Sequence, residues 1–138
     1  ELVQVRQRPI LGICLGAQLM TAHSEEGDVD GLGWVDARTV GFDTTRLAGR
    51  KVPHMGWADI DVTDTRNLLW ADLPEDPRFY FVHAYHFQFT VPEEVAATAV
   101  YGYGFACAFR KGNIHGVQFH PEKSHKFGMR VLSNFARC

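Results

Sequence analysis

Apolar positions along most of the chain recur with a period of two, and helical spacing is confined to its two ends and to one stretch just after the first strand. Pro9 leads into Ile10, Leu11 and Ile13, a short buried-strand run, and Leu15 to Ala22, with Leu19 and Met20 apolar, opens a helix directly afterwards. Ser24 to Gly33 is polar and glycine-rich and reads as a loop. Trp34 to Phe42 and Ala58 to Val62 read as strands on either side of the basic, proline-marked stretch Arg46 to Pro53. Phe79 to Phe89 reads as one long aromatic strand. Ala96 to Tyr101, Phe105 to Arg110 and Ile114 to Phe119 follow, the last two joined by the hairpin turn Lys111-Gly112-Asn113. Phe127, Val131, Leu132 and Phe135 repeat at helical spacing and predict a C-terminal amphipathic helix covering the sheet. Glu1 to Gln7, with Leu2 and Val5 apolar, reads as the tail of a helix. Strands interleaved with helices make this an α/β fold.

Composition narrows the class. The length of 138 residues, with 46% hydrophobic positions, suits one domain over residues 1–138 with a single core. No apolar run reaches membrane-spanning length, so no membrane is expected. A formal charge of -2 without a basic run argues against nucleic acid. The three cysteines, at positions 14, 107 and 138, are odd in number and widely spaced, which suits a reducing cytoplasm better than a disulfide framework. Cys107 lies in an alternating strand and is expected in the core. Among seven histidines, His83 and His86 with His115 or His120 can in principle converge on zinc. The spacing matches no closed zinc pattern, and CxxC and HExxH are both absent, so neither a metal nor a cofactor is expected.

The candidate chemistry sits at two strand ends. Gly12-Ile13-Cys14-Leu15-Gly16 places a thiol between glycines where a strand turns into a helix. Such an elbow holds its nucleophile at strained dihedral angles, and glycines at 12 and 16 remove side chains that would collide. At a helix N-terminus Cys14 meets unpaired N–H groups that favour thiolate, and the Leu15 N–H is the first oxyanion donor. The plainer alternative is an inert buried thiol. Far along the chain, Asn113 to Phe119 alternates as a strand and delivers His120-Pro121-Glu122. Two apart in extended chain, His120 and Glu122 project to the same side, so Glu122 can orient an imidazole that takes the thiol proton and later protonates a leaving amine. The plainer alternative is a solvated turn that carries both residues.

Pro9-Ile10-Leu11-Gly12-Ile13-Cys14-Leu15-Gly16-Ala17-Gln18, Ser24-Glu25-Glu26-Gly27, Gly31-Leu32-Gly33, Pro53-His54-Met55-Gly56-Trp57, Phe79-Tyr80-Phe81-Val82-His83 and Gly116-Val117-Gln118-Phe119-His120-Pro121-Glu122-Lys123-Ser124 resemble class I glutamine amidotransferases. Within that class the chain most resembles the glutaminase subunit of imidazole glycerol phosphate synthase, from Pro9 to Phe135. The resemblance implies a flavodoxin-like three-layer sandwich with a mixed central sheet. It implies hydrolysis of glutamine to glutamate and ammonia by Cys14, His120 and Glu122, with Gly16, Gln18 and Glu26 on the substrate. It also implies a (β/α)8-barrel synthase partner that receives the ammonia, met through Pro53, Met55, Trp57, Tyr80 and Lys123.

Family members carry strand and helix pairs ahead of this region, with a Pro-Gly-rich loop that supplies the other oxyanion donor. The expectation is therefore a domain that lacks its N-terminal strands and helices. A hole with one donor costs on the order of a hundredfold to a thousandfold in rate. Two alternatives stay open. Tyr85-His86-Phe87 and Ser124-His125-Lys126-Phe127-Gly128-Met129 look similar to a paralogous glutaminase that feeds a sugar amidotransferase in surface-polysaccharide assembly. The other alternative is a non-catalytic binding module that keeps only the docking face.

Overall fold

The computed structural model describes residues 1–138. Its elements in chain order are β1 (Ile10–Ile13), α1 (Leu15–Gln18), β2 (His23–Ser24), β3 (Val29–Asp30), β4 (Ala37–Gly41), β5 (His54–Asp59), β6 (Asp61–Val62), β7 (Arg78–His83), β8 (Tyr85–Phe89), β9 (Val95–Tyr101), β10 (Tyr103–Lys111), β11 (Ile114–Val117) and α2 (His125–Phe135). A mixed nine-stranded sheet runs in the order β1-β11-β10-β8-β4-β2-β3, with β9 on β10 and β6 on β9. β5 and β7 form a separate antiparallel ribbon.

β1 lies parallel to β11, with Gly12 opposite Gly116 and Ile13 opposite Val117. The hairpin from β10 to β11 is antiparallel, closed at Lys111 and Ile114 around the predicted turn. Every residue of β11 is buried, as befits a strand covered on both faces. The pleat divides its side chains between two cores. Val117 joins Phe79, Phe81, Phe105, Cys107, Phe119, Phe127 and Val131 on one face. Ile114 joins Ala17, Met20, Val35, Ala37, Phe87 and Phe109 on the other. α2 covers the first face through Phe127 and Val131, while α1 and the turn behind it cover the second through Ala17 and Met20. The α/β class and the three-layer plan agree with the expectation, although the helical layers are thin.

Several local expectations need correction. Glu1 to Gln7 is a set of turns, not a helix tail, and leaves Leu2 and Val5 exposed. The helix after Cys14 ends at Gln18, well short of Ala22. There the Thr21 hydroxyl donates to the Gln18 carbonyl at 2.7 Å and occupies an acceptor the next helical turn would use. The loop from Ser24 to Gly33 contains β3, paired with β2. Trp34 and Val35 precede β4 and bond instead to the Met20 carbonyl. The strand expected at Ala58 to Val62 is broken at Ile60. The long strand Phe79 to Phe89 is two strands in two different sheets, broken at Ala84.

Candidate active site

Cys14 sits at φ 52°, ψ -111° between β1 and α1, the strained corner expected of a nucleophile elbow. A Cβ on Gly12 would lie 2.8 Å from the Cα and N of Ala17, so the close approach of strand and helix requires glycine there. Gly16 differs from the expectation, because a Cβ at that position meets nothing within 4 Å. It is open ground beside the elbow, and no collision demands its glycine.

The thiol is half-buried and faces two protein partners. It lies 3.9 Å from the Val82 carbonyl, and the Gln118 amide nitrogen stands 3.6 Å from the sulfur. Burial pushes the thiol's pKa up, while the Leu15 N–H and the Gln118 amide pull it down. The balance leaves a protonated resting thiol, so a base is needed to activate it.

An imidazole that can serve as one, His120, stands along the same edge of β7. His120 Nδ1 pairs with Glu122 Oε1 at 2.5 Å, as the two-residue spacing predicts. This contact leaves Nε2 as the nitrogen for proton transfer. The His120 backbone N–H donates to the Tyr80 carbonyl at 2.9 Å, while Cys14 faces the Val82 carbonyl on the same strand. Carbonyls two residues apart point to the same edge and are separated by about 7 Å of strand rise. Nucleophile and imidazole are thus anchored to one rail, two residues apart. No hydrogen bond joins Cys14 to His120, and proton transfer between them requires a closer contact than this resting geometry holds.

Ser124 is a residue the motif reading left without a role. Fully buried, it accepts from the Tyr80 N–H at 2.9 Å and donates to the His120 carbonyl at 2.6 Å, fastening the His-Pro-Glu turn to β7. Gln118 is the other omission. It is completely buried, accepts at Oε1 from Gln18 Nε2 at 3.1 Å, and holds its backbone through the Cys107 carbonyl. A glutamine two residues before His120, within an apolar strand run, was the available signal, since an amide buried there needs partners.

The substrate-side residues are placed unequally. Gln18 and Glu26, with Leu15, Leu19, Ser24, Val29, Asp30 and Gly31, line a cavity of about 160 Å³ beside the elbow. Glu26 is exposed on its rim, whereas the Gln18 side chain is buried and also faces the Tyr85 carbonyl at 3.4 Å. A larger hollow of about 460 Å³, lined by Trp57, Arg78, His125, Lys126 and Phe127, touches none of the three triad residues.

On the ribbon, Met55, Trp57 and Tyr80 share the outward face, with Trp57 opposite Tyr80 in register and the two rings 6.2 Å apart. Met55 and Trp57 are 62% and 43% exposed, unusual for such side chains. Pro53, just before β5, and Lys123, in the turn after His120, are also exposed.

Two of the histidines considered for zinc, His83 and His86, hold protein partners, while the buried His115 Nδ1 has none. His83 Nδ1 donates to the Tyr85 carbonyl at 2.8 Å, its Nε2 pairs with His54 Nδ1 at 2.9 Å, and His86 pairs with the Tyr103 hydroxyl at 2.7 Å. No helix is long and apolar enough to cross a membrane.

Comparison with known proteins converges on one family. Residues 1–138 match the family model of glutamine amidotransferase class-I. A Pseudomonas aeruginosa protein named imidazole glycerol phosphate synthase subunit HisH 2 is 43% identical over 98% of this chain and 65% of its own length. A Bdellovibrio bacteriovorus subunit HisH is 46% identical over 99% of this chain and 67% of its own. The chain therefore spans about two thirds of the length of these relatives. Among solved structures, a glutamine amidotransferase from Thermotoga maritima superimposes with a TM-score of 0.63 at 21% identity, over 98% of this chain and 50% of that one. PurLQS from the same organism gives 0.70 at 16% identity, over 98% and 64%. At those identities the structures speak for the fold alone. With a cysteine at a strained elbow, a histidine held by a glutamate and a family match over every residue, the chain belongs to the class I glutamine amidotransferases.

Proposed function

We propose that this chain is the glutaminase portion of an imidazole glycerol phosphate synthase, cleaving glutamine to glutamate and ammonia and passing the ammonia to a synthase partner. The observation that carries the chemistry is the shared β7 edge, with Cys14 at the Val82 carbonyl and the His120–Glu122 pair at the Tyr80 carbonyl. The synthase assignment is supported by relatives of that name at 43% and 46% identity.

In the reaction, His120 Nε2 takes the Cys14 proton, with Glu122 stabilising the imidazolium. The sulfur attacks the side-chain carbonyl carbon of glutamine, and the Leu15 N–H faces the oxyanion that forms. The C–N bond breaks as His120 returns its proton to nitrogen, releasing ammonia and leaving a thioester on Cys14. Water, deprotonated by His120, then cleaves the thioester to glutamate and restores the thiol. Gln18 and Glu26 line the approach, Gly16 leaves open space next to the elbow, and the Glu26 carboxylate suits the substrate's ammonium group.

The partner is a (β/α)8 barrel, docked on Pro53, Met55, Trp57, Tyr80 and Lys123. Exposed aromatic and methionine side chains on the β5–β7 ribbon, whose Val82 carbonyl faces the thiol, support this placement. A pocket that hands ammonia across an interface keeps it from protonation in solvent. The setting is a reducing cytoplasm, which keeps Cys14 as a free thiol.

The test is glutamate release from glutamine by the chain with a barrel synthase subunit and its nucleotide substrate, read against Cys14→Ser. Turnover that vanishes in Cys14→Ser is expected. If no turnover occurs and a glutamine-analogue electrophile fails to label Cys14 beside the partner, the chain is a docking module and the proposal falls. Turnover that responds only to a sugar-amidating synthase reassigns the ammonia acceptor to polysaccharide assembly.

A further inference from the structure

Gln18 Nε2 lies between two oxygens, the Tyr85 carbonyl at 3.4 Å and Gln118 Oε1 at 3.1 Å. The Tyr85 carbonyl can only accept, so the Gln18 group that faces it is the NH₂, and that orientation in turn calls for an oxygen on Gln118. With Oε1 accepting from Gln18, the Gln118 amide must turn its own NH₂ toward Cys14, where Nε2 stands 3.6 Å from the sulfur. The opposite orientation would set two NH₂ groups against each other and present an oxygen to the thiol.

The cost of error is high, because Gln118 is completely buried and Gln18 is 7% exposed. Gln118 is also clamped through its backbone N–H to the Cys107 carbonyl in β10. The sulfur thus faces an acceptor at Val82, which suits the thiol, and a donor at Gln118, which suits the thiolate.

We propose that Gln118 is a positioning residue that receives the Cys14 sulfur as its proton leaves, with Gln18 locking the Gln118 amide in the donating orientation. This rests on the reading of Cys14 as the nucleophile. Holding the thiolate at the elbow keeps it aimed while the imidazole carries the proton from sulfur to substrate nitrogen. Gln18 thereby acts through Gln118 as well as lining the cavity.

The test follows the pH dependence of iodoacetamide alkylation in the full chain, read site by site by mass spectrometry. Cys138 is exposed and serves as an internal reference, while Cys107 is buried. Gln118→Met removes the donor at similar volume and is expected to raise the half-reaction pH of Cys14 by about one unit, leaving Cys138 unchanged. Gln118→Glu is expected to raise it further. Gln18→Glu should move it in the same direction, because Gln118 then turns its NH₂ to the new carboxylate and its oxygen to the sulfur.

A Cys14 profile that superimposes on the parent in a cooperatively melting Gln118→Met variant overturns the proposal. If that variant does not fold, an unchanged profile in Gln18→Glu does the same. Alkylation needs neither glutamine nor a partner, so failure of glutamine turnover in the parent leaves this outcome separately readable.

Discussion

His54 and His83 face each other across the β5–β7 ribbon, Nδ1 to Nε2 at 2.9 Å, and both are buried. His83 Nδ1 must donate to the Tyr85 carbonyl, so its Nε2 accepts from His54. Both rings are therefore neutral. Burial holds His54 at about 4 and His83 at about 3, against an ordinary value of 6.5. Below about pH 6.5 the unfolded chain binds protons that the folded chain refuses, so stability falls with acid from 6.5 down through these lowered values. Thermal melts between pH 7 and 4 should show that decline. The slope should lessen in His54→Phe, which keeps the ring stacked between Phe81 and Tyr101, at 5.0 and 4.2 Å, and has no proton to gain.

Ser124 ties the His120-Pro121-Glu122 turn to β7 with one hydroxyl that accepts from Tyr80 and donates to His120. In Ser124→Ala the Tyr80 N–H loses its acceptor in a dry site, a cost of about 1–3 kcal/mol. Denaturant unfolding should report that loss. If glutamine turnover is restored with the partner present, kcat should fall more than KM rises, because the displaced group is the base and not the substrate pocket.

Gly128 lets the first turn of α2 rest on the turn that carries His120. A Cβ there would lie 1.7 Å from the Pro121 carbonyl oxygen, and backbone on both sides prevents easy relief. Gly128→Ala, normally stabilising within a helix, should here destabilise by about 1–3 kcal/mol and displace Glu122 from His120. Equal or higher stability in urea melts would contradict this.

His23 joins β2 to the tip of the β2–β3 hairpin, pairing with Asp30 and Asp28 at 2.9 Å each. Asp30 first and then Asp28 raise its pKa above 6.5. The charged clasp is intact below the unfolded value and is lost as pH rises through the raised folded value. Amide exchange in Val29 to Gly31, beside the small cavity, should quicken over that rise. His23→Gln should remove the pH dependence.

The strained elbow at Cys14 and the His120–Glu122 pair were legible because their geometry is local. An elbow needs glycine and a strand-to-helix change within five positions, and a histidine held by a glutamate needs only the two-residue spacing of extended chain. Alternation likewise located β1, β10, β11 and the hairpin between the last two, and helical spacing located α2. The break at Ala84 was illegible for a physical reason. Phe79, Phe81, His83, Phe87 and Phe89 keep one unbroken parity, so period two persists while the chain leaves one sheet and enters another. Phe79 and Phe81 serve one core, and Phe87 serves the other.

What the tertiary structure alone decided is which distant groups share a surrounding. Gln18 and Gln118 are a hundred positions apart, and their meeting depends on β1 lying parallel to β11 in one register. The same register sets Cys14 and His120 on a common edge of β7, a strand from neither motif. Local sequence determines dihedral preference and side-chain spacing through short-range sterics. Register and burial are properties of the packed whole, in which each buried amide, thiol and imidazole must find its partner across the chain.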